Sequence, residues 1–255
     1  MKHGEFLWCD VMTTDVAAGA AFYAAVVGWG VQPAEQPGMA YTVLTVEGQG
    51  VAGAMPTPPE LQGKVPPCWM TYVAVDDVDA AAAKVTALGG TVQRPPTDVP
   101  GVIRFAVVSD PQGAGFLIAR GLRDEPMPAI APGTPGLVGW HELYAGDGPG
   151  VFAFYEALFG WTKAEAHDMG PMGVYQLFSV GGGEVVGGIM TKPEAMPVPN
   201  WAVYFNVDAI DAGAERVKAN GGKVIMGPAS VPGDLWIVQC QDPQGAYFAL
   251  LAPKR

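Results

Sequence analysis

Trp140 to Tyr144 reads as a strand of alternating character, and Phe6 to Met12, which holds its twin Trp8 to Met12, reads as a second strand of the same kind. After the first strand, Asp15 is placed to cap a helix that runs to about Val27, carries Phe22 and Val26 on one face and stops at Gly28. Tyr41 to Val46 and Val51 to Met55 read as strands separated by the turn Glu47-Gly48-Gln49-Gly50, and a proline-rich connection follows from Pro56 to Pro67. Trp69 to Val75 is the next predicted strand. Val78, Ala81, Val85 and Leu88 then share one face of a helix that ends at Gly89-Gly90. Thr91 to Gln93, Ile103 to Val108 and Gly115 to Ala119 supply the remaining strands of this half.

The same pattern returns 132 positions later. Trp8 matches Trp140, Asp15 matches Asp147, Phe22-Tyr23 matches Phe154-Tyr155, and Gly28-Trp29 matches Gly160-Trp161. Trp69 matches Trp201, Tyr72 matches Tyr204, and Asp110-Pro111-Gln112-Gly113 matches Asp242-Pro243-Gln244-Gly245 at that same offset. So many matches at one spacing define an internal duplication. The predicted domains are residues 1–122 and 136–255, joined by a proline-rich linker over 123–135 with few packing obligations. The fold class is α+β, with a β-α-β-β-β unit occurring four times.

Composition narrows the function. The net charge of -11 leaves no basic stripe for nucleic acid or an anionic membrane surface, and no apolar run reaches the length of a membrane span. A cytoplasmic protein is expected, since the first residues lack a signal-peptide pattern. The three cysteines, Cys9, Cys68 and Cys240, have no CxxC spacing and read as small buried thiols.

The β-α-β-β-β units, the Phe-Tyr then Gly-Trp helix endings and the two Asp-Pro-Gln-Gly turns resemble the vicinal oxygen chelate superfamily, which includes glyoxalase I, bleomycin resistance proteins and extradiol dioxygenases. More narrowly, the chain is similar to two-domain glyoxalase-like proteins of actinobacteria. The resemblance implies that paired units in each half form a curled mixed sheet around a cavity. It fixes no activity, because the fold hosts metal lyases, oxygenases, epimerases and metal-free binding proteins.

In the metal enzymes of that family, one ligand lies seven residues before the helix-opening aspartate of a unit. That count gives Trp8, Met70, Trp140 and Ala202 here, while the final glutamate ligand falls on Leu117 and Ala249. The remaining ligand falls around Met55 and Met190. None of these side chains offers the oxygen or nitrogen donors a divalent ion needs, so no metal site and no cofactor are expected. A divalent metal held by His141 and Glu142 is the alternative. It would require a one-residue slip of the strand, turning its apolar neighbours to the wrong face. Otherwise His141 faces the helix layer, as its twin Cys9 does, and His167 and His3 are surface residues.

Alternation then places Trp8, Asp10 and Met12, and their counterparts Trp140, Glu142 and Tyr144, on the cavity face. Met70, Tyr72, Ala202 and Tyr204 are expected on the same face, with Arg104 joining them in the first half only, while Trp69 and Trp201 pack toward the helices. Asp10 and Glu142 have two readings. A carboxylate beside tryptophan has a raised pKa and can act as a base or acid, or bind a cationic ligand; equally, each can simply accept hydrogen bonds from loop backbone or from Tyr72 and Tyr204. The expected function is binding or sequestration of a small aromatic or amphipathic molecule by a monomer or homodimer. The alternatives are a glyoxalase-like lyase or dioxygenase with an unusual metal set, or a metal-free isomerase or lyase with Glu142 and Asp10 as base.

Overall fold

The structure is a computed structural model that describes residues 2–34, 40–122 and 130–255. The first repeat runs β1 (Phe6–Thr13), α1 (Val16–Val27), β2 (Gly30–Ala34), β3 (Tyr41–Val46), β4 (Gln49–Pro56), β5 (Cys68–Ala74), α2 (Val78–Ala87), β6 (Thr91–Val99), β7 (Ile103–Ser109) and β8 (Gly115–Gly121). The second runs β9 (Val138–Ala145), α3 (Gly148–Phe159), β10 (Trp161–Asp168), β11 (Val174–Val180), β12 (Val185–Thr191), β13 (Asn200–Asn206), α4 (Ile210–Ala219), β14 (Lys223–Val231), β15 (Leu235–Gln241) and β16 (Tyr247–Ala252). Each repeat contributes one mixed eight-stranded sheet, in the orders β2-β3-β4-β1-β5-β8-β7-β6 and β10-β11-β12-β9-β13-β16-β15-β14.

Local signals act as the sequence predicts. Asp15, Asp77 and Asp147 cap α1, α2 and α3 by accepting from Ala18 N at 3.0 Å, Ala80 N at 3.0 Å and Gly150 N at 3.2 Å. Gly28 and Gly160 close α1 and α3 in the left-handed region that glycine enters without strain. The Glu47-Gly48 turn has positive φ at both residues, the geometry that matches the twist of a two-residue hairpin.

The strand β2 is absent from the sequence reading because all but one of its residues are exposed and Pro33 interrupts it, so it has no alternation to detect. β6 reaches Val99, beyond the expected Gln93. As an edge strand with two register shifts it tolerates Pro95 and Pro96, which read as a break in the sequence.

Contacts divide the described residues into two compact units that do not follow the repeat boundaries. One unit comprises 2–8, 71–122 and 141–201; the other comprises 9–34, 40–70, 130–140 and 202–255. In the first, α2 packs against α3 over a core built on Val85, Phe116, Phe152 and Trp161. In the second, α1 packs against α4 over Tyr23, Leu44, Phe205 and Phe248. Each core therefore takes one helix layer from each repeat. The predicted linker lies in part at 123–129, outside the described residues. Its end does carry packing obligations, since Ile130 packs on the second unit's core; just beyond it the Gly136 carbonyl accepts from Trp29 Nε1 at 2.8 Å.

Candidate ligand-binding faces

In the unit containing residues 141–145 of β9, Leu143 is fully buried in the helix-side core, so Glu142 and Tyr144, each 7% exposed, point to the opposite face. His141 shares the helix side. Its ring stacks on Phe6 with centroids 3.5 Å apart, and burial pushes its pKa down to about 3 against a weaker opposing hydrogen bond to the Val186 backbone. It is a neutral core histidine. Glu142 lies opposite Gly188 of β12, and Tyr175 of β11 leans over that glycine so closely that a Cβ there would strike Tyr175 Cζ and Oη. Met190 is in register with Tyr144. Also in this unit, Tyr72 lies in register with Leu117 on the face away from the helices, since Val73 and Ile118 enter the core instead.

The unit containing Asp10 repeats the motif. Cys9 and Val11 enter the core, which turns Asp10 and Met12 the other way. Asp10 is 2% exposed, lies opposite Gly53 of β4, and accepts from Tyr41 Oη at 2.7 Å. A Cβ on Gly53 would strike both the Tyr41 hydroxyl and Asp10 Oδ1. Elsewhere in the same unit Tyr204, in register with Ala249, packs with Leu251, Trp140, Ala202, Leu235 and Ile237. Gln239 Nε2 donates to Tyr204 Oη at 3.2 Å, giving an apolar wall with one polar rim.

Tyr41, Tyr175, Gly53, Gly188 and Gln239 are absent from the sequence reading. The repeat offset is 132 at Asp10 and Glu142, 134 at the tyrosines and 135 at the glycines, so a search at one fixed spacing passes over them. A tyrosine two residues before the strand residue that faces a glycine is the signal that survives.

One predicted member is misplaced. Arg104 alternates with Ile103 and Phe105 on β7, on the side of the buried Ala106 and Val108 that pack toward α2. Its Nε and Nη2 donate to the two carboxylate oxygens of Asp79, both at 2.8 Å, and Nη1 donates to Asp98 at 2.7 Å. Arg104 is thus an ion-paired residue beside α2, where it lines a surface hollow of about 300 Å³ with Arg120 and Asp77. Trp69 and Trp201 pack on the helix side, donating to Tyr23 Oη at 2.8 Å and Tyr155 Oη at 3.2 Å.

The metal enzymes of the family hold a divalent cation, and the side chains at the corresponding positions of this chain do not suit one. Tryptophan offers an N–H donor only, and methionine, leucine and alanine offer no hard donor. Among the described residues no three of His, Cys, Asp and Glu come together. The thiols are not activated: burial raises Cys9, pushes Cys68 up to about 11 and pushes Cys240 up to about 12.

Comparison with known proteins agrees with this architecture. Residues 7–119 match the family described as glyoxalase-like domain, and residues 137–250 match the Glyoxalase/Bleomycin resistance protein/Dioxygenase superfamily. A Mycobacterium tuberculosis protein, CFP32, that bears the name of a glyoxylase is 38% identical over 99% of this chain and 96% of its own. The anthracycline biosynthesis protein DnrV of Streptomyces peucetius is 35% identical over 97% of this chain and 93% of its own. The Mn(II)-bound glyoxalase of Novosphingobium aromaticivorans shares the fold, with a TM-score of 0.69 at 19% identity over 99% of this chain and 83% of its own. The chain belongs to the vicinal oxygen chelate superfamily, as two tandem glyoxalase-type domains. No helix is long and apolar enough to cross a membrane among the described residues.

Proposed function

We propose that this protein binds a small aromatic or amphipathic molecule and does so without a metal ion. The observation that carries the reading is the cluster of Trp140, Ala202, Tyr204, Ala249 and Leu251, where two positions assigned to metal ligands by the family resemblance, Ala202 and Ala249, belong to an apolar wall. Such a wall with few polar groups suits an aromatic guest, whose burial contributes roughly 25 cal/mol per Å² of apolar surface. The relative DnrV, named for anthracycline biosynthesis, supports aromatic chemistry as the class to test first. Equilibrium dialysis of chelator-treated protein against a panel of naphthalene and anthraquinone compounds tests the reading. Micromolar retention that is unchanged by added Mn(II) is expected, and retention that appears only with the metal contradicts it.

A second reading follows from the 2.7 Å bond between Tyr41 and the buried Asp10: a metal-free isomerase or lyase in which the carboxylate removes a proton from a bound substrate. A substrate screen with Asp10→Asn and Glu142→Gln as controls distinguishes it. Turnover lost in both variants supports catalysis, and binding without turnover supports the first reading.

A further inference from the structure

The tip of the hairpin between β10 and β11 carries a set of donor atoms that the binding faces do not use. Methionine is ordinarily a core residue, yet Met169 and Met172 are 40% and 54% exposed, three positions apart on one turn. Backbone bonds hold that turn in one shape. Met172 N donates to Met169 O at 3.3 Å, which closes a β-turn and keeps the two Cα atoms within about 7 Å of each other. Gly173 N donates to Gly170 O at 2.9 Å, and Asp168 Oδ1 accepts from Gly170 N at 2.9 Å. Met169 N donates to Gly173 O at 2.8 Å, one step past the pairing of Asp168 with Val174, so the ladder continues and Met169 falls on the same side of the hairpin as His167. The His167 side chain is 30% exposed, and its Nδ1 faces Glu165 Oε1 at 3.8 Å, which leaves Nε2 for another partner.

Two thioethers and one imidazole make a soft donor set. Mn(II) and Mg(II) favour oxygen, and Zn(II) is held by thiolate, imidazole and carboxylate, whereas thioether sulfur selects Cu(I). The unbranched methionine side chain is adaptable, so two sulfurs carried on one closed turn can reach a single ion beside the ring without any change of backbone. A carboxylate behind Nδ1, as Glu165 provides, is the kind of partner that orients a ligating histidine. We infer that His167, Met169 and Met172 bind one Cu(I) ion at this hairpin tip. The first repeat holds no histidine and only one methionine, Met39, between Gly30 and Tyr41, so the inference is of one site per chain. It stands independently of the aromatic-binding reading, and it concerns a soft monovalent ion at the surface, not the divalent ion of the family's metal enzymes.

The test titrates the full chain with Cu(I) under anaerobic conditions against a weak chromophoric chelator such as ferrozine. One equivalent of Cu(I) is expected to pass from the chelator to the protein, and an excess of Zn(II) is expected not to displace it. Met169→Leu combined with Met172→Leu keeps the tip apolar and is expected to weaken binding at least about tenfold, a factor that even a supporting partner of a ligand commands. Cys68→Ala removes the least buried thiol and is expected to leave binding unchanged. In protein labelled at its methionine methyl carbons, Ag(I), a redox-inert ion of the same softness, is expected to shift the NMR signals of Met169 and Met172. Failure to draw Cu(I) from the chelator, displacement by Zn(II), or equally tight binding by the double leucine variant overturns the inference. Loss of binding in Cys68→Ala, or Ag(I) shifts confined to other methionines, overturns it as well.

Discussion

Tyr23 donates a 3.0 Å hydrogen bond to Asp242, a residue 219 positions further along the chain, and Tyr155 makes the matching 2.9 Å bond to Asp110. The helix ending of one repeat and the Asp-Pro-Gln-Gly turn of the other are thus two ends of one contact. The turn's glutamine completes it: Gln244 Oε1 accepts from Asp15 N at 2.7 Å while its Nε2 donates to Asp15 O at 2.8 Å, and Gln112 makes the equivalent pair with Asp147 at 2.7 and 3.0 Å. These bonds bind the two repeats within each compact unit.

Tyr23→Phe leaves one oxygen of the buried Asp242 without its phenol donor and Trp69 Nε1 without its acceptor. Because buried groups left unpaired lose their full solvation, the variant is expected to lose about 1–3 kcal/mol of stability in urea with little change in slope. A loss below about 0.5 kcal/mol would show that the contact is dispensable.

His141 gives the fold an acid limit. Its folded pKa of about 3 lies below the ordinary histidine value of 6.5, so its neutral form is the one that the core accepts, and its contribution is intact above the unfolded pKa and lost as pH falls toward the folded one. Between pH 7 and pH 4 that amounts to a loss on the order of 3 kcal/mol. Denaturation midpoints of His141→Phe, which keeps a ring on Phe6, should lie on a flatter pH curve over this window. An unchanged slope would assign the acid sensitivity to other groups.

Ala209 is the N-cap of α4 and, unlike the aspartates before α1, α2 and α3, offers no capping side chain, although its backbone is extended in the manner of Asp77. Ala209→Asp is expected to raise stability by about 1 kcal/mol, read as a higher urea midpoint, and a lower midpoint would contradict the capping account.

Arg104→Ala is expected to leave retention of the naphthalene and anthraquinone compounds within about twofold, because the guanidinium is committed to Asp79 and Asp98 beside α2. A larger loss would return Arg104 to the binding face.

Much of this was legible in the sequence. The duplication, the aspartate caps and the facing of β1 and β9 follow from fixed spacing and from alternation that is clean where one side chain of each pair is polar or bulky. Arg104 was misassigned because Ile103, Phe105, Ala106, Val107 and Val108 make β7 apolar on both faces, so alternation there carries no information about side. The tyrosines over Gly53 and Gly188 were hidden for a different reason: small insertions shift the repeat offset between β9 and β12, and a contact across three strands leaves no trace at any single spacing. The compact units could not be read from the duplication, since a repeat records how the chain was copied and not which copy its helices pack against.

Metal analysis with thermal melting tests the proposed metal independence most directly. Full-length protein purified without chelator is expected to contain far less than one equivalent of Mn, Fe, Ni or Zn per repeat and to melt at the same temperature with and without excess Mn(II), Zn(II) or EDTA. A stoichiometric ion in either repeat, with a melting temperature that falls by several degrees when it is removed, would contradict the account.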